Sequence, residues 1–411
     1  MDYLTLVSQQ SQDKAAVITD NEIYTYGRLT EMAAEIRSSH ELQPQAIFIH
    51  ADTIVQQLVQ FLAYSGTASV PVIATEISKN QQFDVQNIPQ QACMGVMTSG
   101  STGRSKLLWR SYYSWADFFP QQNKIFGIDA STIIFCQGSL AFTGNLNIYM
   151  GVLYAGGTIV ATEKFRPKHW VELLKRYAVN TIYLIPSKLL LLSKQIKIPE
   201  EGIYHIVSGS QSLGRQEADK LKKAFPNTEI TLYYGASELN YITYIKDNEM
   251  TEDRTNIGRP FPGVSVYVQD EEIFVDTPYG IEGISLPFSL KDRGYLAADG
   301  SLHFLGRVDD VCNVNGLKIS ACKVEQALME ISGINEAAVM TVHRNDADSL
   351  LAFIASEITY SKQELLTALK SSLSEYEIPK QFIYLEDLPK NESGKIDRLK
   401  LAENYKSEGN K

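Results

Sequence analysis

"TIIFCQ" (Thr132–Gln137) followed by "NLNIYMGVLYAGG" (Asn145–Gly157) reads as a short β-branched and aromatic run that gives way to an apolar segment at helical spacing, closed by two glycines. The same succession occurs earlier, where "QAIFIHA" (Gln45–Ala51) precedes "TIVQQLVQFLAYSG" (Thr53–Gly66). A strand followed by a helix, and then the pair again, argues for α/β layers. Farther along, "SVYVQD" (Ser265–Asp270), "EEIFVDTPYG" (Glu271–Gly280) and "GSLHFLGR" (Gly300–Arg307) stand close together with turn residues between them, which predicts an antiparallel β portion. From "KVEQALMEISGI" (Lys323–Ile334) through "AAVMTVHR" (Ala337–Arg344), "LLAFIASE" (Leu350–Glu357) and "SKQELLTALKSSL" (Ser361–Leu373), helix and strand patterns alternate independently. The expected organisation is a large N-terminal α/β domain over 1–307 and a small, mobile C-terminal α+β domain over 308–411, with a hinge in "GRVDD".

Composition narrows the function classes. With 411 residues, 44% hydrophobic and 21% charged, the chain can bury sizeable cores. The net charge of -10 comes with no long lysine or arginine run, so nucleic acid is not an expected partner. Cys93, Cys136, Cys312 and Cys322 show no C-x-x-C spacing, and "MDYLTLVSQQSQDK" lacks a basic start and apolar core, so a cytoplasmic location is expected. No apolar run approaches the roughly 20 residues that cross a bilayer, so no integral membrane segment is expected.

The stretch "MTSGSTGRSK" (Met97–Lys106) follows the β-like "CMGVM" and offers hydroxyl and backbone N–H donors with a terminal ammonium. Such a segment suits a phosphate cradle or a solvated loop. It is not a P-loop, because Gly103, Arg104, Ser105, Lys106 and Leu107 do not place glycine directly before the lysine.

"TSGSTGRSK" resembles the T-S-G-[ST]-T-G-x-P-K-G loop of the adenylate-forming superfamily, which contains acyl- and aryl-CoA synthetases, peptide-synthetase adenylation domains and luciferases. Five further segments resemble that family's signatures in order: "YYGASE" (Tyr233–Glu238), "IGRPFPG" (Ile257–Gly263), "KDRGYLAADGSLHFLGRVDD" (Lys291–Asp310), "NVNGLKIS" (Asn313–Ser320) and "PKNESGKIDR" (Pro389–Arg398). The nearest likeness is to a short stand-alone acyl-CoA synthetase. The resemblance implies an N-terminal AMP-binding domain, a C-terminal lid, and a two-step ATP-dependent ligation of a carboxylic acid to a thiol.

Residue by residue, the resemblance assigns Thr98, Ser99, Gly100, Ser101, Thr102, Gly103 and Lys106 to the phosphates of ATP. Gly209, Ser210 and Gln211 of "IVSGSQSLG" would line the adenine, with Tyr233, Tyr234, Gly235, Ala236 and Ser237 around the same nucleotide. Stacking on adenine suits either tyrosine. Glu238 would hold Mg²⁺, for which a carboxylate is a suitable hard ligand. Asp292 and Arg307 would hold the ribose, although Leu290 and Lys291 depart from the family's T-G-D. Lys395 would bridge the acid and the α-phosphate, where negative charges meet. Asp309 would be the hinge, and Gly316 and Lys318 would border the tunnel for the thiol arm of CoA or of a carrier protein's phosphopantetheine.

For the acid, the resemblance points to Phe142, Thr143 and Asn145. Thr143 stands where amino-acid-activating members place an aspartate, and an unpaired buried ammonium is costly, so an amino acid is disfavoured. A fatty acid or other non-amino carboxylic acid is expected, with an aryl-acid ligase loading an acyl carrier protein as the alternative and an inactive nucleotide-binding relative as the competitor of another class. Thr143, Asn145 and Asn147 suit either hydrogen bonds to a hydroxylated acid or a helix start. Two departures stand out: Arg104 and Leu107 replace the usual proline and glycine, and only about twenty residues separate "SVPVIATE" from the phosphate loop.

Overall fold

The structure is a computed structural model that describes residues 2–39, 43–74, 81, 83–98, 106–308, 310–314, 317–344, 347–390 and 396–408. The chain divides into two compact units. One comprises Met1–Asp253, Ile257–Val266 and Val275–Phe288, and the other Arg254–Asn256, Tyr267–Phe274 and Ser289–Lys411.

The first unit is built on the predicted α/β alternation. "TIIFCQ" forms the strand Ile133–Gln137, buried over most of its length, and the following apolar segment forms the helix Thr143–Ala155. That helix ends at Gly156 in the left-handed region (φ 76°), where only glycine is free of a Cβ penalty. A nine-stranded sheet runs in the order Arg259–Pro260, Asn240–Lys246, Glu229–Ala236, His205–Gly209, Thr181–Tyr183, Ile133–Gln137, Thr158–Thr162, Ala15–Ile18, Ile23–Thr25. From Glu229–Ala236 to Ala15–Ile18 every neighbouring pair is parallel, and the remaining strands at both ends are antiparallel. Parallel strands covered on both faces need continuous apolar sequence, as "IIFCQ" and "TIVAT" supply. The helix Pro167–Arg176 shows the complementary pattern, burying Trp170, Leu173 and Leu174 and ending on Lys175 and Arg176, which complement the helix dipole.

A second sheet in this unit has the order Gln45–Ile49, Ser69–Ile73, Ala92–Thr98, Lys106–Ser111. Its last pair is antiparallel, so Thr98 faces Lys106 across the ladder. The helix Ile54–Tyr64 lies between its first two strands in sequence, and the Thr53 hydroxyl caps it by accepting from Gln56 N at 3.2 Å.

The predicted antiparallel runs form the strands Ser265–Gln269, Glu272–Asp276 and Leu302–Arg307. Leu302–Arg307 pairs antiparallel with Phe288–Leu296, with Asp292 opposite Arg307. In the second unit, Ile334–Arg344, Ala347–Ser356 and Gln381–Leu385 form a three-stranded sheet. It packs on the helices Ala321–Met329 and Lys362–Leu369 through Val324, Leu328, Val339, Leu350, Leu365 and Leu369. Within this unit Arg398 reaches Glu325 at 2.7 Å and donates to Val339 O at 2.9 Å, while Glu325 accepts from Val339 N at 2.7 Å. Burial pushes the Glu325 carboxyl up to about 7 against the pull of Arg398.

Candidate active site

In the first unit, the expected site residues gather at the carboxyl ends of the parallel strands. Gly209 closes His205–Gly209 and Tyr233–Ala236 closes Glu229–Ala236, with Tyr183, not among the expected residues, closing the neighbouring Thr181–Tyr183. The crevice outside the carboxyl ends is where parallel α/β sheets bind ligands.

Glu238 follows the last of these strands and is half-buried. Its backbone is fixed from two sides. The Glu238 carbonyl accepts from Ile281 N at 2.9 Å, and the preceding carbonyl, of Ser237, accepts from the Arg110 guanidinium at 2.6 Å. Arg110 is fully buried and donates also to Tyr279 O at 2.9 Å and to the Ser114 hydroxyl at 3.3 Å. Burial brings its pKa down to about 10, opposed by the negative potential of Glu238 and Glu282 among others. Nothing in the sequence singles out Arg110, one of two basic residues flanking the apolar "LLW" of the strand "KLLWRS".

Among the described residues no group of three or more His, Cys, Asp or Glu could hold a metal. A single half-buried carboxylate suits a Mg²⁺ ion that arrives on ATP, since that ion keeps several waters and phosphate oxygens as ligands. Glu238 therefore fits the expected metal ligand.

Thr98 and Lys106 are brought opposite each other, Thr98 half-buried and Lys106 exposed. The intervening Ser99, Gly100, Ser101, Thr102 and Gly103 lie outside the described residues, as do Asp309, Gly316 and Lys395. Ser210 holds a left-handed backbone (φ 68°), at a cost of about 1–2 kcal/mol for a residue with a Cβ, and Gln211 accepts from Ser187 N at 3.0 Å. Gly209 has no room for a side chain, because a Cβ would sit 2.5 Å from the Tyr233 ring.

The two adjacent tyrosines separate, as neighbours on a strand must. Tyr233 is 8% exposed and turns into an aromatic cluster, its hydroxyl 2.8 Å from that of Tyr183, whereas Tyr234 is half-buried. After Tyr234 the register with Asn240–Lys246 shifts, and Gly235 lies so close to Asn240 that a Cβ would be 2.6 Å from its carbonyl oxygen.

The helix beginning at Thr143 joins this cluster directly. The Ser237 hydroxyl donates to the Thr143 hydroxyl at 3.1 Å, which ties the expected acid-binding and nucleotide-binding segments together one residue from Glu238. Phe142 is the N-cap residue and forms no side-chain cap hydrogen bond. Asn145 donates to Ser139 O at 2.9 Å, holding the preceding turn, and Asn147 donates to Asn240 Oδ1 at 2.7 Å. The Asn145 amide is thus engaged at the turn that leads into the helix.

In the second unit, Asp292 and Arg307 meet, Arg307 Nε lying 3.6 Å from Asp292 Oδ1. Asp292 is 7% exposed and follows Lys291, whose φ of 62° is again left-handed. Lys318 is exposed on the hairpin Val311–Val314/Leu317–Ser320, opposite Asn313.

The four cysteines are unpaired; Cys93, Cys136 and Cys312 are buried and Cys322 is half-buried. Burial pushes the Cys93 and Cys322 thiols up to about 12 and raises Cys136 and Cys312 as well. No helix among the described residues is long and apolar enough to cross a membrane.

Two family models match this chain: the AMP-binding enzyme over residues 66–283 and the AMP-binding enzyme C-terminal domain over residues 323–395. The uncharacterized acyl-CoA ligase YhfT of Bacillus subtilis (strain 168) is 27% identical over 324 residues, 74% of this chain and 67% of that protein. The D-alanine–D-alanyl carrier protein ligase of Lactococcus lactis subsp. lactis (strain IL1403) is 26% identical over 344 residues, 75% of this chain and 69% of that protein. Among solved structures, ATP-bound MatB from Rhodopseudomonas palustris superimposes with a TM-score of 0.83 at 19% identity, covering 99% of each chain.

Proposed function

The chain belongs to the AMP-binding enzyme family, and on that premise we propose that it is an AMP-forming acid:thiol ligase that activates a non-amino carboxylic acid with ATP and passes the acyl group to a thiol. In the first step a carboxylate oxygen bonds to the α-phosphorus while the bond to pyrophosphate breaks, which leaves an acyl-adenylate. In the second, the sulfur of CoA or of a carrier protein's phosphopantetheine bonds to the acyl carbon and AMP departs.

The observation that supports this reading is the Thr143–Ser237 hydroxyl contact beside Glu238, because it joins the helix expected to border the acid to the segment expected to border the nucleotide. In this reading Thr98, Ser99, Gly100, Ser101, Thr102, Gly103 and Lys106 hold the phosphates. Gly209, Ser210, Gln211 and Tyr234 flank the adenine, with Tyr233 behind them as support. Asp292 accepts from the ribose hydroxyls, a use for both carboxylate oxygens, with Arg307 beside it. Glu238 binds Mg²⁺, which neutralises phosphate charge when present. Lys395 places its ammonium between the two anionic reactants, Asp309 is the hinge, and Gly316 and Lys318 border the path of the thiol arm.

The unpaired cysteines support a cytoplasmic setting. ATP–pyrophosphate exchange over a panel of acids tests the first step, and thioester formation with CoA against a phosphopantetheinylated carrier protein tests the second. Exchange that depends on a carboxylic acid supports the reading; ATP binding without exchange for any acid overturns it.

A further inference from the structure

Arg398 follows Lys395 closely in sequence and opens the helix Arg398–Glu408. Its guanidinium gathers three separate parts of the second unit. One nitrogen lies 2.7 Å from Glu325 Oε1 and 3.5 Å from Asp310 Oδ2, and the other donates to Val339 O at 2.9 Å. Glu325 stands on the helix Ala321–Met329 and Val339 on the strand Ile334–Arg344, while Asp310 comes directly after the expected hinge residue. The planar fork of an arginine can serve all of these at once, which the single ammonium of a lysine cannot.

The chain on either side of residues 391–395 is fastened to the same strand. At the entry, Lys390 pairs at 2.6 Å with Glu336, which shares its strand with Val339. Lys390 and Ile396 form an antiparallel bridge, and Asp397 N donates to Pro389 O at 2.7 Å. At the exit, Asp397 Oδ1 accepts from Lys400 N at 3.0 Å, and Leu401 is buried in a cluster with Phe353 and Leu388. The segment that contains Lys395 therefore rises from one fixed base.

The other end of the arginine's reach is fixed as well. Asp310 N donates to Arg307 O at 3.2 Å, and Asp310 O accepts from Ala321 N at 3.2 Å. One guanidinium thus lies between the base of the lysine's segment and the residue beside the hinge. An ion pair with a buried carboxylate such as Glu325 is a weak source of net stability, because desolvation offsets the attraction. A lysine that must meet two reacting groups, by contrast, depends on placement, since an error of about 1 Å can cost about a hundredfold in rate.

We propose that Arg398 is a positioning residue for the adenylation step, tying the base of the Lys395 segment to Asp310 so that the lysine and the hinge keep one fixed relation. The inference rests on the ligase reading given above and adds to it the residue through which the lysine is placed.

The test measures ATP–pyrophosphate exchange by the full-length protein with butyrate, octanoate, dodecanoate, benzoate and 4-hydroxybenzoate, and continues with whichever of these exchanges fastest. Arg398→Lys keeps the charge but cannot hold Glu325, Asp310 and Val339 together. Its kcat should fall about ten- to a hundredfold with KM for ATP within about twofold, because the reacting groups and not the nucleotide lose their placement. In a Lys395→Ala background the same substitution should cost less than about twofold more, since a residue that acts through the lysine has nothing left to place. Leu369→Ala, which removes a buried side chain from the core of the same unit, should lower the melting temperature and leave kcat within about twofold. An equal loss from Arg398→Lys in both backgrounds, or a kcat in Leu369→Ala reduced as far as in Arg398→Lys, overturns the positioning role and leaves the ligase reading standing. No exchange by the unmodified protein with any of these acids overturns both.

Discussion

The guanidinium of Arg110 lies 2.6 Å from the carbonyl oxygen of Ser237, one residue before Glu238. A fully buried arginine that donates to two main-chain carbonyls, those of Ser237 and Tyr279, fixes backbone, and here the backbone carries the expected metal ligand. Arg110→Ala should lower stability by about 2–4 kcal/mol, from lost charged hydrogen bonds and the cavity left behind. It should also reduce acid-dependent exchange more than ATP binding. Denaturant unfolding and exchange kinetics on one preparation check both, and wild-type exchange in a destabilised variant would detach Arg110 from the site.

Asp292 and Arg307, both expected at the ribose, lie 3.6 Å apart. If Asp292 accepts from the ribose, Asp292→Asn should raise KM for ATP about ten- to hundredfold, the equivalent of one or two charge-assisted bonds. The effect of Arg307→Ala should be smaller, because the arginine is exposed and screened. Initial rates across ATP concentration measure this, and an unchanged KM removes Asp292 from the nucleotide.

Lys395→Ala should lower acyl-adenylate formation by about a hundred- to a thousandfold, the usual loss of one positioned donor at a developing charge. Transfer from a chemically supplied acyl-adenylate to the thiol should survive better. Measuring the two half-reactions separately distinguishes this from a general loss of folding, which would depress both.

Glu325 makes stability depend on pH. Burial raises its folded pKa from 4.5 to about 7, so between those values the folded state holds a proton that the unfolded chain has released. The stabilisation is complete below pH 4.5 and is lost as pH rises through 7. Glu325→Gln should flatten that part of the unfolding profile, and an unchanged slope would place the titration elsewhere.

Much of this arrangement is legible in sequence because its causes are local. "TIIFCQ" and "QAIFIHA" become strands since apolar β-branched runs of that length have few other uses, and the helices that follow carry their own boundaries in Thr53 and Gly156. The segments around Glu238 and Asp292 stand out in sequence because they resemble a family's signatures in a fixed order, and the chemistry expected of them is what the predictions above test. Arg110 was not, since a buried arginine is spelled like an exposed one and only the carbonyls of Ser237 and Tyr279 distinguish them. Tyr233 and Tyr234 were equivalent on paper; which of them faces the cluster depends on what covers each side of the sheet. Tyr183 reads as an ordinary strand aromatic until the tight fit of its hydroxyl against Gly144 is seen.

The state of the four cysteines bears on the enzyme's own survival. An acyl-adenylate is a mixed anhydride, and any thiolate within reach would be acylated by it. Here every thiol is at least half-buried and held protonated, with Cys93 and Cys322 near 12. Its four cysteines thus offer an acyl-adenylate no ready thiolate, and under the ligase reading the sulfur that discharges the intermediate belongs to a separate thiol.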